Sequence, residues 1–267
     1  MSAESPTPDE GRTTWSLDDS GQVATILVDR AAKLNAFTPQ MLLDLERVVA
    51  EVEASEVRLA VVRTGGEKVF CVGADITLFS QLSSVQMWRD WIGVGHRVFN
   101  ALEALRCPTI AVVDGLAFGG GLELALACDL RIMVDGARLA LPETGLGTVP
   151  GWGGAGRLPR LVGAARAKEM IFARHQIDAA RAFDWGLVNA VAPREQLEET
   201  VQRWITDVCT SAPVANALAK QLITAALEGA SPHLIEGLAG GLSLATEDLR
   251  EGVSAFKDKR EPEFTGR

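Results

Sequence analysis

The sequence predicts an α/β layered fold with parallel strand pairing, and three observations carry that prediction. Short apolar runs rich in β-branched residues alternate with longer stretches of helical periodicity. The strand-like runs are apolar nearly throughout, as expected of strands covered on both faces. Beyond Pro193 the pattern is almost wholly helical.

Residues 1–14 (MSAESPTPDEGRTT) read as a polar, flexible N-terminal arm. VATILVD over 23–29, between Gly21 and Arg30, predicts a strand. Residues 38–55 open on Thr38 and carry Leu42, Leu43, Leu45, Val48, Val49 and Val52 at helical spacing, so a helix follows. RLAVVR over 58–63 is the next strand, stopped at Thr64-Gly65-Gly66, and 69–72 runs extended toward Gly73. A helix is predicted over 85–105 and a strand over 109–113, ended by Asp114-Gly115. After three glycines, 122–128 reads as helix and 130–134 as strand, with an extended segment at 138–141. Residues 161–173 are helical in pattern, 178–185 a short helix and 187–191 a brief strand. The helices at 195–209, 213–227, 233–245 and 246–259 are apolar on more than one face, which suits packing against a second copy of the chain. The expected organisation is thus an arm (1–14), an α/β core (15–193) and a C-terminal helical region (194–267).

Composition narrows the function. A net charge of −9, from 26 basic and 35 acidic residues among 267, argues against a nucleic-acid partner. Cys71, Cys107, Cys128 and Cys209 form no CxxC pair and read as buried small hydrophobes in a reducing compartment. His96, His175 and His233 are far apart, so no metal site is expected. No apolar run approaches the roughly 18 residues of a membrane span. The acidic first residues are unlike a secretory leader, and the expected location is cytoplasmic.

The chemistry concentrates around glycines. Gly119-Gly120-Gly121 lies between a strand and an apolar helix, where unpaired amides suit an oxyanion or a phosphate. A tight strand-to-helix turn accounts for the same residues. Val72-Gly73-Ala74-Asp75 offers a second donor, or a helix cap. Glu123 sits in the first turn after the triple glycine, and Glu143 follows Pro142 beside Gly145, Gly147 and Gly151. A glutamate early in a helix is commonly a capping residue, whereas two carboxylates in different surroundings can divide acid and base roles. Gly151-Trp-Gly153-Gly-Ala-Gly156 matches GxGxxG, but its lead-in is a loop ending in Pro150, so a dinucleotide site is not expected.

An ordered set of motifs then resembles the enoyl-CoA hydratase/isomerase (crotonase) superfamily. It comprises Asn35-Ala36-Phe37, Gly73-Ala74-Asp75-Ile76, the run from Asp114-Gly115 through Gly119–Gly121 to Glu123, Ala127-Cys128-Asp129, Pro142-Glu143, Gly147-Thr-Val-Pro-Gly151, Trp185-Gly186-Leu187 and the stretch from Glu251 to Arg260. The resemblance implies a crotonase-like spiral of ββα units, a C-terminal helical trimerisation region, and a homotrimer or homohexamer. It implies an acyl-CoA substrate, with coenzyme A part of that substrate and no further cofactor or metal. The backbone amides of Ala74 and Gly120 would hold the thioester oxygen. Glu123 and Glu143 would bracket a water that the Gly151 amide helps to place. Coenzyme A would lie along Asp75, Ile76 and Thr77, with Lys68 nearby and Phe256 and Lys259 reaching it from a neighbouring subunit.

Possession of both glutamates favours an enoyl-CoA hydratase, adding water across a 2-enoyl thioester to give a 3-hydroxyacyl-CoA. An isomerase, another enolate-forming acyl-CoA enzyme and a non-catalytic scaffold of the same fold are the alternatives. Glu123, near a helix N-terminus, is expected to be the anionic base, and Glu143 the acid. The chain departs from the family pattern at Ala31, Thr77, Leu139–Leu141 and Ala155-Gly156. Phe79, Trp88, Trp91, Phe118 and Trp152 are either acyl-cavity lining or plain core. Arg157 and Arg160 are expected as solvated surface charges, with phosphate contact the alternative.

Overall fold

The repeated strand–strand–helix unit divides its strands between two sheets, and that division shapes the whole chain. The computed structural model describes residues 10–267. In chain order the strands are β1 (Arg12–Leu17), β2 (Val23–Asp29), β3 (Leu59–Thr64), β4 (Val69–Cys71), β5 (Thr109–Val113), β6 (Leu116–Phe118), β7 (Leu130–Val134), β8 (Arg138–Ala140), β9 (Ile177–Asp178) and β10 (Ala190–Ala192). One sheet runs β1-β2-β3-β5-β7-β10 and the other β4-β6-β8-β9. Each successive unit adds one strand to each sheet, so β3/β4, β5/β6 and β7/β8 climb as a spiral. Pairing is parallel except at β1–β2 and β8–β9.

The helices are α1 (Pro39–Glu53), α2 (Ile76–Phe79), α3 (Ser84–Gln86), α4 (Gly93–Glu103), α5 (Gly120–Leu126), α6 (Gly154–Val162), α7 (Ala164–Phe172), α8 (Ala179–Asp184), α9 (Leu197–Cys209), α10 (Pro213–Leu227), α11 (Pro232–Ser243) and α12 (Glu247–Asp258). Thr38 caps α1 by accepting from the Met41 amide at 3.2 Å. Met41, Leu42, Leu45, Val48, Val49 and Val52 turn one face inward; burying each such side chain contributes about 1.5–3 kcal/mol. The same sheet keeps Ile110–Val113 and Ile132–Val134 buried, as their continuous apolar runs require.

Four expectations need correction. The arm does not extend to residue 14: residues 1–9 lie outside the described residues, and Arg12–Leu17 is an edge strand paired from Arg12↔Asp29 to Leu17↔Ala24. Its polar sequence hides this, because Thr13 is buried and donates to the Met41 carbonyl at 3.2 Å. The helix predicted over 161–173 is two helices, with α6 starting at Gly154 and Gly163 (φ 80°, ψ 159°) breaking the chain before α7. Within the predicted 85–105 helix, Met87–Ile92 is a π-helical turn, a form that often marks functional sites. The brief strand expected at 187–191 is Ala190–Ala192, because Leu187 and Val188 bond back to the Ala182 carbonyl.

The C-terminal helices differ from the core. Neither α10 nor α11 has a buried residue, and Leu227, Leu234, Leu238 and Leu242 are exposed along them. Among the described residues, no helix is long and apolar enough to cross a membrane.

Candidate active site

The two sequence-selected glutamates line one cavity of about 170 Å³. Each reaches it from a different turn of the spiral. Glu123 lies on the first turn of α5, which starts where β6 ends at the triple glycine. Glu143 opens a 3₁₀ turn (Glu143–Leu146) directly after β8 and Pro142. The Gly119 amide donates to the Ala140 carbonyl at 2.9 Å, tying the two turns together. A Cβ on Gly119 would lie 3.1 Å from Glu143 Oε1, so that carboxylate sits over the glycine turn.

The carboxylates are held differently. Glu123 Oε1 accepts from the Trp152 and Gly154 amides, both at 2.8 Å, and the side chain is buried. Burial pushes its pKa upward, while the Gly154, Trp152 and Gly151 amides and His96 act against the rise. Both Glu143 oxygens are buried with no hydrogen-bond partner among the described residues. Burial drives the Glu143 carboxyl up to about 7, its own amide opposes the shift, and the Glu123 charge adds to it.

Two amides border the same cavity. Phe37 donates to the Gly73 carbonyl at 2.7 Å and accepts from the Asp75 amide at 3.0 Å. Because this parallel bridge uses the groups on either side of Ala74, the Ala74 N–H points the other way, toward the cavity. Gly120 is the first residue of α5, so its N–H has no partner one turn back. Among the described residues neither amide meets a backbone acceptor. Gly73 (φ 94°) brings the two together: a Cβ there would lie 2.7 Å from the Gly120 nitrogen. Convergent N–H groups of this kind suit a developing oxyanion.

Apolar and aromatic side chains close the space. Phe79, Trp91, Phe118 and Trp152 line the cavity, whereas Trp88 is 73% exposed and does not. Trp152 packs edge-on against Phe37 and Phe99 and tilts against Trp91 at 5.3 Å. The π turn supplies Met87, Trp91 and Ile92 to one wall.

The residues expected along coenzyme A are placed as follows. Ile76 is exposed and borders the cavity. Asp75 caps α2: its Oδ1 accepts from the Thr77 amide at 3.1 Å and hydroxyl at 2.5 Å, and its Oδ2 pairs with Arg30 at 2.8 Å. Its carboxyl is held below the usual range by the Thr77 hydroxyl and by Arg30, against desolvation. Asp75 and Thr77 thus brace the Ala74 segment. Lys68 is exposed, and its carbonyl accepts from the Leu116 amide at 3.3 Å. Phe256 and Lys259 lie at the end of α12, away from the glutamates within one chain; Phe256 is 85% exposed. Gly151 borders the cavity and turns its amide's influence on Glu123.

Two features escaped the sequence. Backbone donors at Trp152 and Gly154 leave no side-chain signature; the Gly153-Gly154 pair, which permits a close approach, is the signal that could have found them. Arg157 is buried rather than solvated, correcting the expectation for it, whereas Arg160 is exposed.

Comparison with known proteins gives a consistent set. The family model for enoyl-CoA hydratase/isomerase matches residues 18–267. The short-chain-enoyl-CoA hydratase of Clostridium acetobutylicum is 39% identical over 250 residues, covering 92% of this chain and 95% of that protein. The crotonyl-CoA hydratase of Syntrophomonas wolfei is 37% identical over 254 residues, 93% of this chain and 96% of that one. The crystal structure of enoyl-CoA hydratase from Bacillus anthracis superposes with a TM-score of 0.90 at 34% identity, covering 95% and 99% of the two chains.

Proposed function

The chain belongs to the enoyl-CoA hydratase/isomerase family, and from that premise we propose that it adds water across the double bond of a short 2-enoyl-CoA thioester to give the 3-hydroxyacyl-CoA. The observation that carries this reading is the pair of buried carboxylates on one cavity, one held by amides and one with no partner. The relatives named for short-chain and crotonyl substrates, and the small cavity closed by Trp91 and Trp152, support the short acyl group.

In the proposed reaction the thioester oxygen lies against the Ala74 and Gly120 amides. As water attacks the β-carbon, charge moves to that oxygen, and donors already aimed at it stabilise the transition state more than the ground state. Glu123, anchored through Oε1, accepts the proton of the attacking water through its other oxygen. Glu143, with a pKa of about 7, is protonated in a large share of molecules at neutral pH and delivers a proton to the α-carbon. Both proton transfers are met by these side chains, so the scheme calls on no metal or further cofactor. In this reading coenzyme A enters past Ile76, which is exposed at the cavity edge at the start of α2, and runs along Asp75 and Thr77 toward Lys68.

The exposed leucines of α10 and α11 support a homotrimer or homohexamer, in which Phe256 and Lys259 of a neighbour would approach the coenzyme A. The test is a panel of 2-enoyl-CoA thioesters of graded length, followed by loss of the conjugated enoyl-thioester absorbance. Rapid loss with crotonyl-CoA, weakening as the chain lengthens, is expected. Migration of a 3-enoyl double bond into conjugation without net hydration would replace this reading with isomerisation.

A further inference from the structure

We propose that Arg157 is a positioning residue that fixes Glu123 by clamping the loop whose amides hold it. Three successive peptide units make the connection. The Trp152 and Gly154 N–H groups point inward to Glu123 Oε1, each at 2.8 Å. The carbonyl of the peptide between them, Trp152 O, points outward and accepts from Arg157 Nη1 at 2.8 Å. Turning that middle peptide would swing both neighbours, so whatever holds its carbonyl also aims the two inward amides.

The arginine is itself anchored. Its Nε and Nη2 donate to Glu103 Oε2 at 3.0 and 2.7 Å, and Nη2 also donates to Asn100 Oδ1 at 2.6 Å. Both acceptors stand on the exposed end of α4, a rigid element packed against α1. The side chain is 8% exposed, and a planar fork can reach three acceptors that an ammonium cannot match. The loop is built to receive it: Gly153 sits at φ 110°, and a Cβ there would lie 2.0 Å from Nη1. The route therefore runs from α4 through Arg157 and the 152–154 loop to Glu123, with Arg157 never touching the cavity.

Only the kinetic arm of the test rests on the hydratase reading. In Arg157→Lys, kcat for crotonyl-CoA should fall roughly 10²-fold, the effect of a catalytic group displaced by about 1 Å, with KM little changed. Loss of the aimed amides should raise the Glu123 pKa, moving the acidic limb of the kcat/KM profile up by about one pH unit. The second arm needs no turnover: ¹³C-carboxyl NMR titration, with the Glu123 signal assigned from Glu123→Gln, should show the same upward move. Glu103→Gln, which keeps the Trp152 carbonyl bond but loosens the anchor, should shift both readouts in the same direction by less, and serves if Arg157→Lys fails to fold. An unmoved Glu123 titration in these variants would overturn the proposal. A wild-type enzyme that hydrates no enoyl-CoA, with the titration shifted as expected, would instead overturn the hydratase reading and leave the clamp standing.

Discussion

The cavity has two walls built on opposite principles. Around Glu123 one carboxylate oxygen is fully held: two amides on Oε1, a glycine loop behind, and an arginine behind the loop. Around Glu143 nothing is: a short 3₁₀ turn, pinned by Thr144 donating to the Ile171 carbonyl at 2.6 Å, presents a carboxyl with no donor. Burial raises both pKa values; three amides from the 151–154 loop oppose the rise on the first wall, and only Glu143's own amide opposes it on the second. The difference teaches that two buried carboxyls in one cavity can be set apart chiefly by which backbone amides reach them.

The largest effect should come from breaking the partnered wall. Glu123→Gln keeps the shape and removes the base, so kcat for crotonyl-CoA should drop by about 10³-fold in a steady-state assay. Next, Gly73→Ala would put a methyl group where the Ala74 and Gly120 amides converge, at a φ of 94° that disfavours any side chain. A loss of about 10²-fold in kcat is expected, with a lowered melting temperature; unchanged kcat would remove the oxyanion role from these amides.

On the unpartnered wall, activity should follow the Glu143 proton. Because the acid form is required, kcat should decline as pH rises through about 7, and Glu143→Gln should abolish that limb along with most of the activity. Stability runs the same way. The folded carboxyl binds its proton more tightly than the unfolded one, so stability present below the ordinary glutamate range is lost as pH rises toward about 7. Glu143→Gln should therefore melt about 3 °C higher than wild type at pH 8, with no such gain at pH 4. Calorimetry at the two pH values reads the difference directly.

Much of this contrast was legible in the chain. Glu123 and Glu143 stood out because each lies beside glycines, and the strand–helix alternation located β5, β7 and α5 before any coordinates. What stayed hidden was carried by backbone or by long-range burial. An edge strand with polar alternation at Arg12–Leu17 resembles a tail until Thr13 finds the Met41 carbonyl. Amides at Trp152 and Gly154 have no letter of their own. Arg157, in the first turn of a helix, looks like a surface charge until Glu103 and Asn100, more than fifty residues earlier, close around it. Asp75, expected along the coenzyme, is occupied by Arg30 and Thr77, partners set by β2 and the start of α2.

The central claim is that the two carboxyls of one cavity hold different protonation states near neutral pH. A ¹³C-carboxyl titration of the unliganded protein, with signals assigned from the two glutamine variants, measures this without any substrate. Glu143 should titrate close to 7 and move downward in Glu123→Gln, once the neighbouring charge is gone. A Glu143 signal that titrates in the ordinary glutamate range and ignores Glu123→Gln would contradict the account.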